Sequence, residues 1–319
     1  MNGLDSHVRP FAPRHNAQTA CFLDGYGPGL PDLRAAYTFA RDTARTLRDD
    51  LGGRPGHRVF WIGASGWGSR SLRAEPDAFV VAGRHTCSSV VLPDDPHVSL
   101  RHLLVRSIPI PTGGTAIRIL DLHTGTGFHL ADGTRQTSVV AQGPVAIGVG
   151  SYALVALPSG PLPEALPEPE VAPCSVSGPY RTAEKPLLTS RITLMPRLVT
   201  LGESAFARPP SGASYTVTLF RNGHAAAARI DDADLLGGVV IGRSEKCHAE
   251  ALRRITAEGT SRLHCLLLRD GDGIHAYDVA STQGTYFLGA RVRRVALGDT
   301  TELSLGQGSS AVTMRWQRV

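Results

Sequence analysis

Hydrophobic positions along the chain separate into one helical stretch followed by two series of short β-like runs. From residue 31 onward, apolar side chains recur at spacings of four and three, which places them on one face of a helix. The stripe comprises Leu33, Tyr37, Ala40, Ala44, Leu47 and Leu51. Pro31 and Asp32 suit the first turn of this helix, and Gly52-Gly53 would end it. We expect the helix to dock on the domain that follows it; the alternative is a helix that binds a partner.

Residues 1–30 have no hydrophobic period, so we interpret residues 1–54 as an N-terminal arm and helix. Six short β-like runs separated by Gly, Pro or Asp turns come next. They are Val59–Ile62, Phe79–Ala82, Leu103–Arg106, Ala116–Leu120, Ser138–Ala141 and Ala153–Leu157. Their length and spacing predict a β-sandwich over residues 55–160.

A Pro-rich stretch near the middle divides the chain in two. It contains the segment PSGPLPEALPEPE, which cannot build a core, and we interpret residues 161–186 as an extended linker. Arg191–Leu201 is a candidate lead-in to a second sandwich over residues 187–319, and Glu245–Glu258 has the composition of a short inserted helix. The β-like runs of this half are Tyr215–Phe220, Val239–Ile241, Cys265–Arg269, His275–Val279, Val292–Ala296 and Ala311–Trp316.

The composition agrees with two β-rich domains. A chain of 319 residues is longer than a single hydrophobic core usually organises. The 35 Gly and 22 Pro residues suit a fold with many turns, and an apolar content of 42% suits a folded protein. The predicted fold class is therefore all-β, with two β-sandwiches joined by a Pro-rich linker and preceded by an amphipathic helix.

Three short signatures occur in the same order in both halves of the chain, at offsets of 159, 162 and 157 residues. In the first half they are Gly83-Arg84, Ser99-Leu-Arg-His102 and Asp121-Leu-His-Thr-Gly-Thr-Gly127. In the second half they are Gly242-Arg243, Ser261-Arg-Leu-His264 and Asp278-Val-Ala-Ser-Thr-Gln-Gly284-Thr285. This order and near-constant offset indicate an internal repeat.

At these residues the sequence resembles the forkhead-associated (FHA) family, whose pattern is Gly-Arg, Ser-x-x-His and Asp-x-x-Ser-Thr-Asn-Gly-Thr followed by Asn-Gly. The second copy, over roughly residues 187–319, is the closer match. It departs from the pattern in two places, with Gln283 for Asn and Leu288-Gly289 for the final Asn-Gly. The resemblance implies an eleven-stranded sandwich whose loops at one end bind phosphothreonine.

The resemblance also implies roles for individual residues of the second copy. Arg243 and Ser261 would contact the phosphate, Thr282 would close the phosphate site, and Arg262 would add a polar contact. Gln283 would bind the peptide main chain, although its side chain is longer than that of the usual Asn. Three further residues would support the loops, with the histidine as a hydrogen-bonded brace: Gly242, His264 and Gly284. An Arg fork with hydroxyl and backbone N–H donors suits a phosphate near −2 charge.

The first copy, over residues 55–160, keeps Arg84, Ser99 and His102 but not the flanking hydroxyl. An ungapped alignment places Leu100, Gly125 and Thr126 where polar contacts are expected. Arg84, Ser99, His102 and Thr126 therefore form a candidate second site for weak phosphate binding, and the alternative is a purely structural or protein-docking role.

Arg291, Arg293 and Arg294 form a basic cluster in a predicted hairpin after the Ser-Thr-Gln-Gly-Thr loop. A solvated charged strand face is the simpler interpretation of this cluster. The alternative is that it attracts acidic residues that flank the phosphothreonine.

The chain lacks the patterns of the common enzyme classes. The segment GASGWG begins like a G-x-S-x-G nucleophile elbow but has Trp67 where the second Gly must stand. There is no G-x-x-x-x-G-K-[ST] phosphate loop, no H-E-x-x-H and no Gly-rich dinucleotide turn. The adjacent pairs Cys247-His248 and His264-Cys265 lack ordinary zinc-ligand spacing. We expect no enzymatic activity, no cofactor and no metal.

The charge and the cysteine usage limit the partners and the compartment that we expect for this chain. The net charge of +5 comes from scattered Arg, without the aromatic interleaving of single-strand nucleic-acid binders. Five widely spaced cysteines without a C-x-x-C pair suit reduced thiols. No apolar run approaches the ~18 residues of a membrane span. We expect a cytoplasmic, bacterial adaptor whose partners are Thr-phosphorylated proteins, such as a Ser/Thr kinase or its substrate; the alternative is a phospho-independent scaffold.

Overall fold

A computed structural model of the chain contains two β-sandwiches and an N-terminal helix. It describes residues 31–110, 114–167, 199–201, 212–247, 250–256, 259–270 and 273–319, with residues 199–201 described as backbone alone. The predicted arm over residues 1–30 and most of the predicted linker lie outside these ranges. The predicted all-β fold with two sandwiches is confirmed.

Helix α1 spans Leu33–Thr46 and begins at the N-cap Asp32, whose carboxylate accepts hydrogen bonds from the next turn's amides at 3.0 Å. It ends well before Gly52-Gly53, so the predicted end was wrong. The reason is local, because the Asp49 side chain accepts hydrogen bonds from the amides of Leu51 and Gly53 and forms a turn that competes with the helix.

The apolar face of α1 packs on the first sandwich, as predicted. Tyr37 and Ala40 are fully buried there, in a cluster that also contains Phe60 and Val155 of the sandwich. The start of the Pro-rich stretch crosses the same helix, since the hydroxyl of Tyr37 donates to the carbonyl of Pro163 at 2.6 Å. The predicted linker therefore begins as a segment bound to α1.

Within the described residues, eleven strands form the first sandwich. They are β1 (Gly56–Gly63), β2 (Gly66–Arg73), β3 (Phe79–Gly83), β4 (Val90–Val91), β5 (Leu103–Pro109), β6 (Thr115–Asp121), β7 (Phe128–His129), β8 (Arg135–Gln136), β9 (Ser138–Ala141), β10 (Val145–Val149) and β11 (Tyr152–Pro158). One sheet has the order β2-β1-β11-β10-β7-β8, and the other contains β9-β6-β5-β3-β4. A short strand β12 (Val199–Leu201) pairs in parallel with β9 and extends the second sheet.

The second sandwich repeats this topology. Its strands are β13 (Ser214–Arg221), β14 (His224–Asp231), β15 (Val239–Ile241), β16 (Cys265–Asp270), β17 (Gly273–Asp278), β18 (Thr285–Phe287), β19 (Ala290–Val292), β20 (Arg294–Ala296), β21 (Thr300–Leu305) and β22 (Val312–Arg318). The order β14-β13-β22-β21-β18-β19 matches the first sheet of the first sandwich strand for strand, and β15-β16-β17-β20 matches β3-β5-β6-β9 of its second sheet. A single 3₁₀ turn, Gly308–Ser310, precedes β22.

Two helices lie in the second sandwich: α2 (Asp232–Gly237) and α3 (Glu250–Arg253). The predicted helix over residues 245–258 is much shorter in the structure. Residues 244–247 instead form a turn, in which the amide of Cys247 donates to the carbonyl of Ser244 at 3.0 Å. Residues 248–249 and 257–258 of that prediction lie outside the described ranges. Strand β14 was not predicted, because its run of alanines has low β propensity.

The boundaries proposed from the sequence, at residues 54, 160 and 186, stay predictions. The described strands of the first sandwich fall within residues 55–160. In the second half, β12 pairs with the first sandwich, and the second sandwich's own strands begin at Ser214.

The two sandwiches pack against each other through the β3-β5-β6 sheet of one and the β15-β16-β17 sheet of the other. The interface is apolar and buried. Its core side chains are Phe79, Val81, Leu104, Leu120 and Leu122 from the first sandwich and Val240, Leu266, Leu268, Tyr277 and Val279 from the second. Strands β5 and β16 are consequently buried on both faces, since Leu103 and Leu267 point into the cores of their own sandwiches.

A buried ionic cluster lies at one side of this interface. The carboxylate of Asp270 accepts hydrogen bonds from the guanidinium groups of Arg106 and of Arg118, the latter at 3.0 Å, and also from the hydroxyl of Tyr277. Arg118 further donates to the carbonyl of Arg269 at 3.0 Å. Burial, with the charge of Asp270 beside it, raises the pKa of Tyr277, which stays a neutral donor.

We predict that Asp270→Ala lowers the free energy of unfolding by about 3–5 kcal/mol, because it removes a buried carboxylate that pairs with the guanidinium groups of Arg106 and Arg118. Urea unfolding monitored by tryptophan fluorescence measures this. The control is Asp299→Ala, since Asp299 is an exposed partner of Arg318 at 3.8 Å and its loss should change stability little. Equal free energies of unfolding in the Asp270 variant and in the control would contradict a stabilising role for the Asp270 carboxylate.

Acid should destabilise the fold through His57 in β1, whose pKa burial lowers to about 3. Its Nδ1 lies 2.9 Å from the hydroxyl of Ser107. Below pH 6.5 the unfolded chain protonates this histidine while the folded chain does not, so stability falls as pH drops from about 6.5 towards about 3. We predict that His57→Gln makes the free energy of unfolding less dependent on pH over this range, whereas the exposed His224→Gln does not. An unchanged slope in the His57 variant would contradict the prediction.

Candidate functional site

Three loops of the second sandwich meet at one end of its sheets. The amide of Arg243, after β15, donates to the carbonyl of Ser261 at 3.2 Å, and that of Ser244 donates to the carbonyl of Arg262 at 3.0 Å. The third loop joins through Thr282, whose amide donates to the Ser261 hydroxyl oxygen at 3.0 Å. The structure thus brings Arg243, Ser261 and Thr282 together, as the sequence predicted.

The polar groups of this loop end differ in exposure. Arg243, Arg262, Thr282 and Gln283 are exposed, whereas Ser261 is buried at the base. Among the described residues, the guanidinium group of Arg243 has no hydrogen bond or ion pair. Because the Ser261 oxygen accepts the Thr282 N–H, its own hydroxyl proton remains available for a ligand. The arrangement offers a cation and two hydroxyl groups to an anion.

His264 connects two of the loops from beneath. Its Nδ1 accepts the amide proton of Ser261 at 3.2 Å, so the ring proton is on Nε2, which donates to the carbonyl of Gly284 at 3.0 Å. Burial lowers the pKa of His264, which keeps the ring neutral and both bonds intact at neutral pH. His264 thus links the two loops through both ring nitrogens.

Glycine is required at two positions of the framework. A Cβ atom at Gly242 would lie 2.2 Å from the carbonyl oxygen of Arg262, which leaves no room for any other residue. Gly284 has a φ of +79°, in the left-handed region that favours glycine. Both glycines hold the loops and present no side chain to a ligand.

Sequence reasoning did not single out Asp278 as a support of the third loop. Its carboxylate accepts hydrogen bonds from the amide and hydroxyl of Ser281, at 2.8 and 2.6 Å, and from the hydroxyl of Thr285 at 2.9 Å. The signal was present in the sequence as an Asp followed three residues later by Ser, the spacing of a side-chain-to-backbone turn. This network fixes the loop that carries Thr282.

The first sandwich has the same framework. The amide of Arg84 donates to the carbonyl of Ser99 at 3.0 Å, and His102 joins the amide of Ser99 to the carbonyl of Gly127 at 3.0 and 2.9 Å. Asp121 accepts hydrogen bonds from the amide and hydroxyl of Thr124, as Asp278 does from Ser281. The repeat seen in the sequence is therefore a repeat of hydrogen bonds.

The exposed groups of the first sandwich differ. Nε of Arg84 donates to the carbonyl of Val98 at 2.5 Å, and this arginine is only partly exposed. Position 125, which matches Thr282, is a glycine, and the Thr126 hydroxyl lies 2.9 Å from that of Thr124. Leu100 is exposed where the second sandwich has Arg262. This loop end offers fewer groups to an anion.

The loop ends of the two sandwiches touch. The guanidinium group of Arg101 donates from Nε and Nη2 to the carbonyl of Ala280, at 3.0 and 2.6 Å. In the other direction, Nζ of Lys246 donates to the carbonyl of Thr124 at 2.5 Å. Each sandwich therefore binds a backbone carbonyl in the third loop of the other.

The arginines of the basic cluster after the third loop lie in two different environments. Arg293 donates to the carbonyl of Phe79 at 2.7 Å and stacks over its ring, and Nε of Arg294 lies 3.3 Å from the hydroxyl of Tyr277. Both therefore contact the interface between the sandwiches, which neither interpretation of the cluster had anticipated. Arg291 remains exposed beside Gly284.

The cysteines near the site are buried thiols. Burial raises the pKa of Cys247 to about 12, and it also raises that of Cys265. Within the ranges that the structure describes, no three His, Cys, Asp or Glu side chains come together as a metal site. The helices in those ranges do not have the length and apolar character needed to span a bilayer.

Comparisons with known proteins give one family match and several similar solved structures. The family model for the FHA domain matches residues 239–306. No curated protein matches the chain. Solved structures that are similar include the first FHA domain of Rv1747 from Mycobacterium tuberculosis, at 23% identity over 34% of this chain and 98% of that one, with a TM-score of 0.26. The FHA domain of CT664 from Chlamydia trachomatis has 12% identity over 32% and 96%, with a TM-score of 0.27.

A third similar structure is the yeast Dun1 FHA domain, determined in complex with a doubly phosphorylated peptide from Rad53. It has 11% identity over 42% of this chain and 96% of that one, with a TM-score of 0.27.

The matched range, residues 239–306, contains all three loops of the second site and the strands that hold them. The first sandwich shares the strand order and the loop hydrogen bonds of the second. Residues 239–306 of the chain thus match the FHA domain, and the first sandwich repeats the strand order and the loop hydrogen bonds of that domain.

Proposed function

We propose that the second sandwich binds phosphothreonine in a partner protein, and that the chain acts as a non-enzymatic adaptor. The observation that carries this proposal is an exposed Arg243, whose guanidinium group has no partner among the described residues, on a loop that is hydrogen-bonded to Ser261, which in turn is hydrogen-bonded to Thr282. A phosphate near −2 charge with three acceptor oxygens needs these donors.

Each residue has a distinct role in this proposal. Arg243 supplies the charge and a forked pair of donors, and Ser261 donates its hydroxyl proton from the base of the site. Thr282 closes the site from the third loop, while its amide bond to Ser261 keeps that hydroxyl oriented. Arg262 and Gln283, both exposed on the same loops, would contact the phosphate and the peptide main chain.

The framework residues act indirectly. Gly242, His264 and Gly284 hold the loops at fixed separation, so the donors are in place before the ligand arrives. A preorganised site loses less conformational entropy on binding, and more of the interaction energy appears as affinity.

The site of the first sandwich favours a different role. Arg84 already donates to a backbone carbonyl, and Gly125 has no hydroxyl to close a phosphate site. We propose that this sandwich serves protein docking or structure, and that Arg84, Ser99, His102 and Thr126 bind phosphate weakly if at all. A phospho-independent scaffold is thus the second candidate function for the chain.

The proposed partners are Thr-phosphorylated proteins, among them a Ser/Thr kinase or a kinase substrate, and the proposed location is the cytoplasm. The electrostatics suit such a partner, because phosphorylation creates the charge that Arg243 would neutralise. Binding would then be switched by the kinase and a phosphatase.

We predict that the chain binds phosphothreonine peptides and that Arg243→Ala removes most of the affinity. A charge-assisted hydrogen bond contributes about 1.5–3 kcal/mol, so the loss of affinity should be roughly 10-fold to 150-fold. Fluorescence polarisation with a phosphothreonine-peptide library measures this. The control is Arg315→Ala, since Arg315 is an exposed arginine on β22 paired with Glu302 at 3.1 Å. Equal binding by the Arg243 variant would favour the scaffold function.

The affinity for otherwise identical peptides should depend on the residue at the phosphorylated position and on its modification. We expect tight binding to phosphothreonine, weaker binding to phosphoserine because the threonine methyl group contributes apolar contact, and none to unmodified threonine. Isothermal titration calorimetry should give one phosphopeptide per chain. A stoichiometry of two would show that the first sandwich binds phosphate as well.

A further inference from the structure

Arg101 of the first sandwich reaches into the third loop of the second. Its guanidinium group places Nε and Nη2 at 3.0 and 2.6 Å from one acceptor, the carbonyl oxygen of Ala280. Arg101 has only 4% of its surface exposed, so the contact lies in the buried interface between the sandwiches. A partly buried carbonyl that receives two donors from a charged group is strongly fixed in position.

Ala280 is a position where the loop needs support. Its φ is +59°, in the left-handed region that alanine adopts reluctantly. It lies directly before Ser281 and Thr282, and the Thr282 amide in turn donates to the Ser261 hydroxyl. An interaction that fixes the carbonyl of Ala280 therefore orients the peptide units that lead to the candidate phosphate site.

The repeat shows that the equivalent position of the other sandwich does not carry an arginine. The matching position in the second sandwich is Leu263, which packs at the apolar interface. The FHA framework thus accepts leucine here. Burial lowers the pKa of Arg101, and the charge of Asp278 partly opposes this shift.

We propose that Arg101 is a positioning residue for the phosphothreonine site, so that the first sandwich sets the affinity of the second. This inference rests on the proposed function. Arg101 acts through the backbone at Ala280, which holds the loop of Thr282 in its binding conformation. Through Arg101 the first sandwich then contributes to the phosphothreonine site of the second, whether or not the first sandwich binds a ligand of its own.

Three variants of the full chain test this proposal. Arg101→Leu removes both N–H donors to the Ala280 carbonyl. It introduces leucine, which is the residue of the second sandwich at the matching position, Leu263. Arg101→Lys keeps the charge but offers an ammonium group in place of the guanidinium fork. Arg73→Leu is the control, because it removes an equal charge from an exposed arginine on β2.

Affinity for a phosphothreonine peptide, measured by fluorescence polarisation, should fall on the order of 10-fold in Arg101→Leu. It should fall less in Arg101→Lys and stay within about twofold in Arg73→Leu, because a surface charge contributes little. Hydrogen exchange should show faster exchange of the Thr282 amide in Arg101→Leu, with the amides of β16 and β22 unchanged.

Two results would overturn the proposal. One is wild-type affinity in Arg101→Leu, and the other is equally faster exchange at Thr282 and throughout β16 and β22, which would mean a general loss of stability. Failure of the proposed function is a separate outcome, because the wild-type chain would then bind no better than Arg243→Ala.

Discussion

The candidate site depends on a neutral, buried histidine. His264 accepts from the Ser261 amide with one ring nitrogen and donates to the Gly284 carbonyl with the other, which ties the loop before β16 to the loop after β17. Only an uncharged imidazole can do both, and burial lowers its pKa and so preserves that state. His102 makes the equivalent bonds in the first sandwich. Because the loops are fixed from beneath, their upper surface is free to vary between the copies.

The two copies use this freedom differently. In the second, Arg243 is exposed and unpaired within the described residues, and Thr282 stands on the rim. In the first, Arg84 is turned to the Val98 carbonyl and the rim position is glycine. The same framework can therefore present an anion site in one copy and a plainer surface in the other. Such divergence is expected where function depends on exposed groups and stability depends on buried ones.

The interface between the sandwiches adds a further constraint. Apolar side chains from both sheets, together with the Asp270 ionic cluster, hold the loop ends in contact, where Arg101 and Lys246 each bind a carbonyl of the opposite sandwich. A buried, partly ionic interface of this kind accepts few alternative arrangements, because a shift would leave charges unpaired. The Pro-rich segment therefore does not by itself decide how the sandwiches are arranged.

The sequence alone was sufficient for the repeat, the FHA resemblance, the grouping of Arg243 with Ser261 and Thr282, and the docking of α1. These features follow from local spacing, because residues of a shared loop framework keep their order and their glycines. The sequence did not predict the weakly patterned elements. Strand β14 is a run of alanines at a sheet edge, where it pairs with β13, and α1 ends early because the Asp49 turn competes with it.

The packing of the two sandwiches was decided only in the tertiary structure. Continuous apolar runs such as Leu266–Leu268 indicate a strand buried on both faces, but they do not say which surface covers the outer face. Likewise, no residue near Arg101 in the sequence indicates that its guanidinium group donates to the carbonyl of Ala280, which is 179 residues away. Contacts between residues so far apart in the sequence depend on how whole sheets pack together, and local residue patterns do not specify that packing.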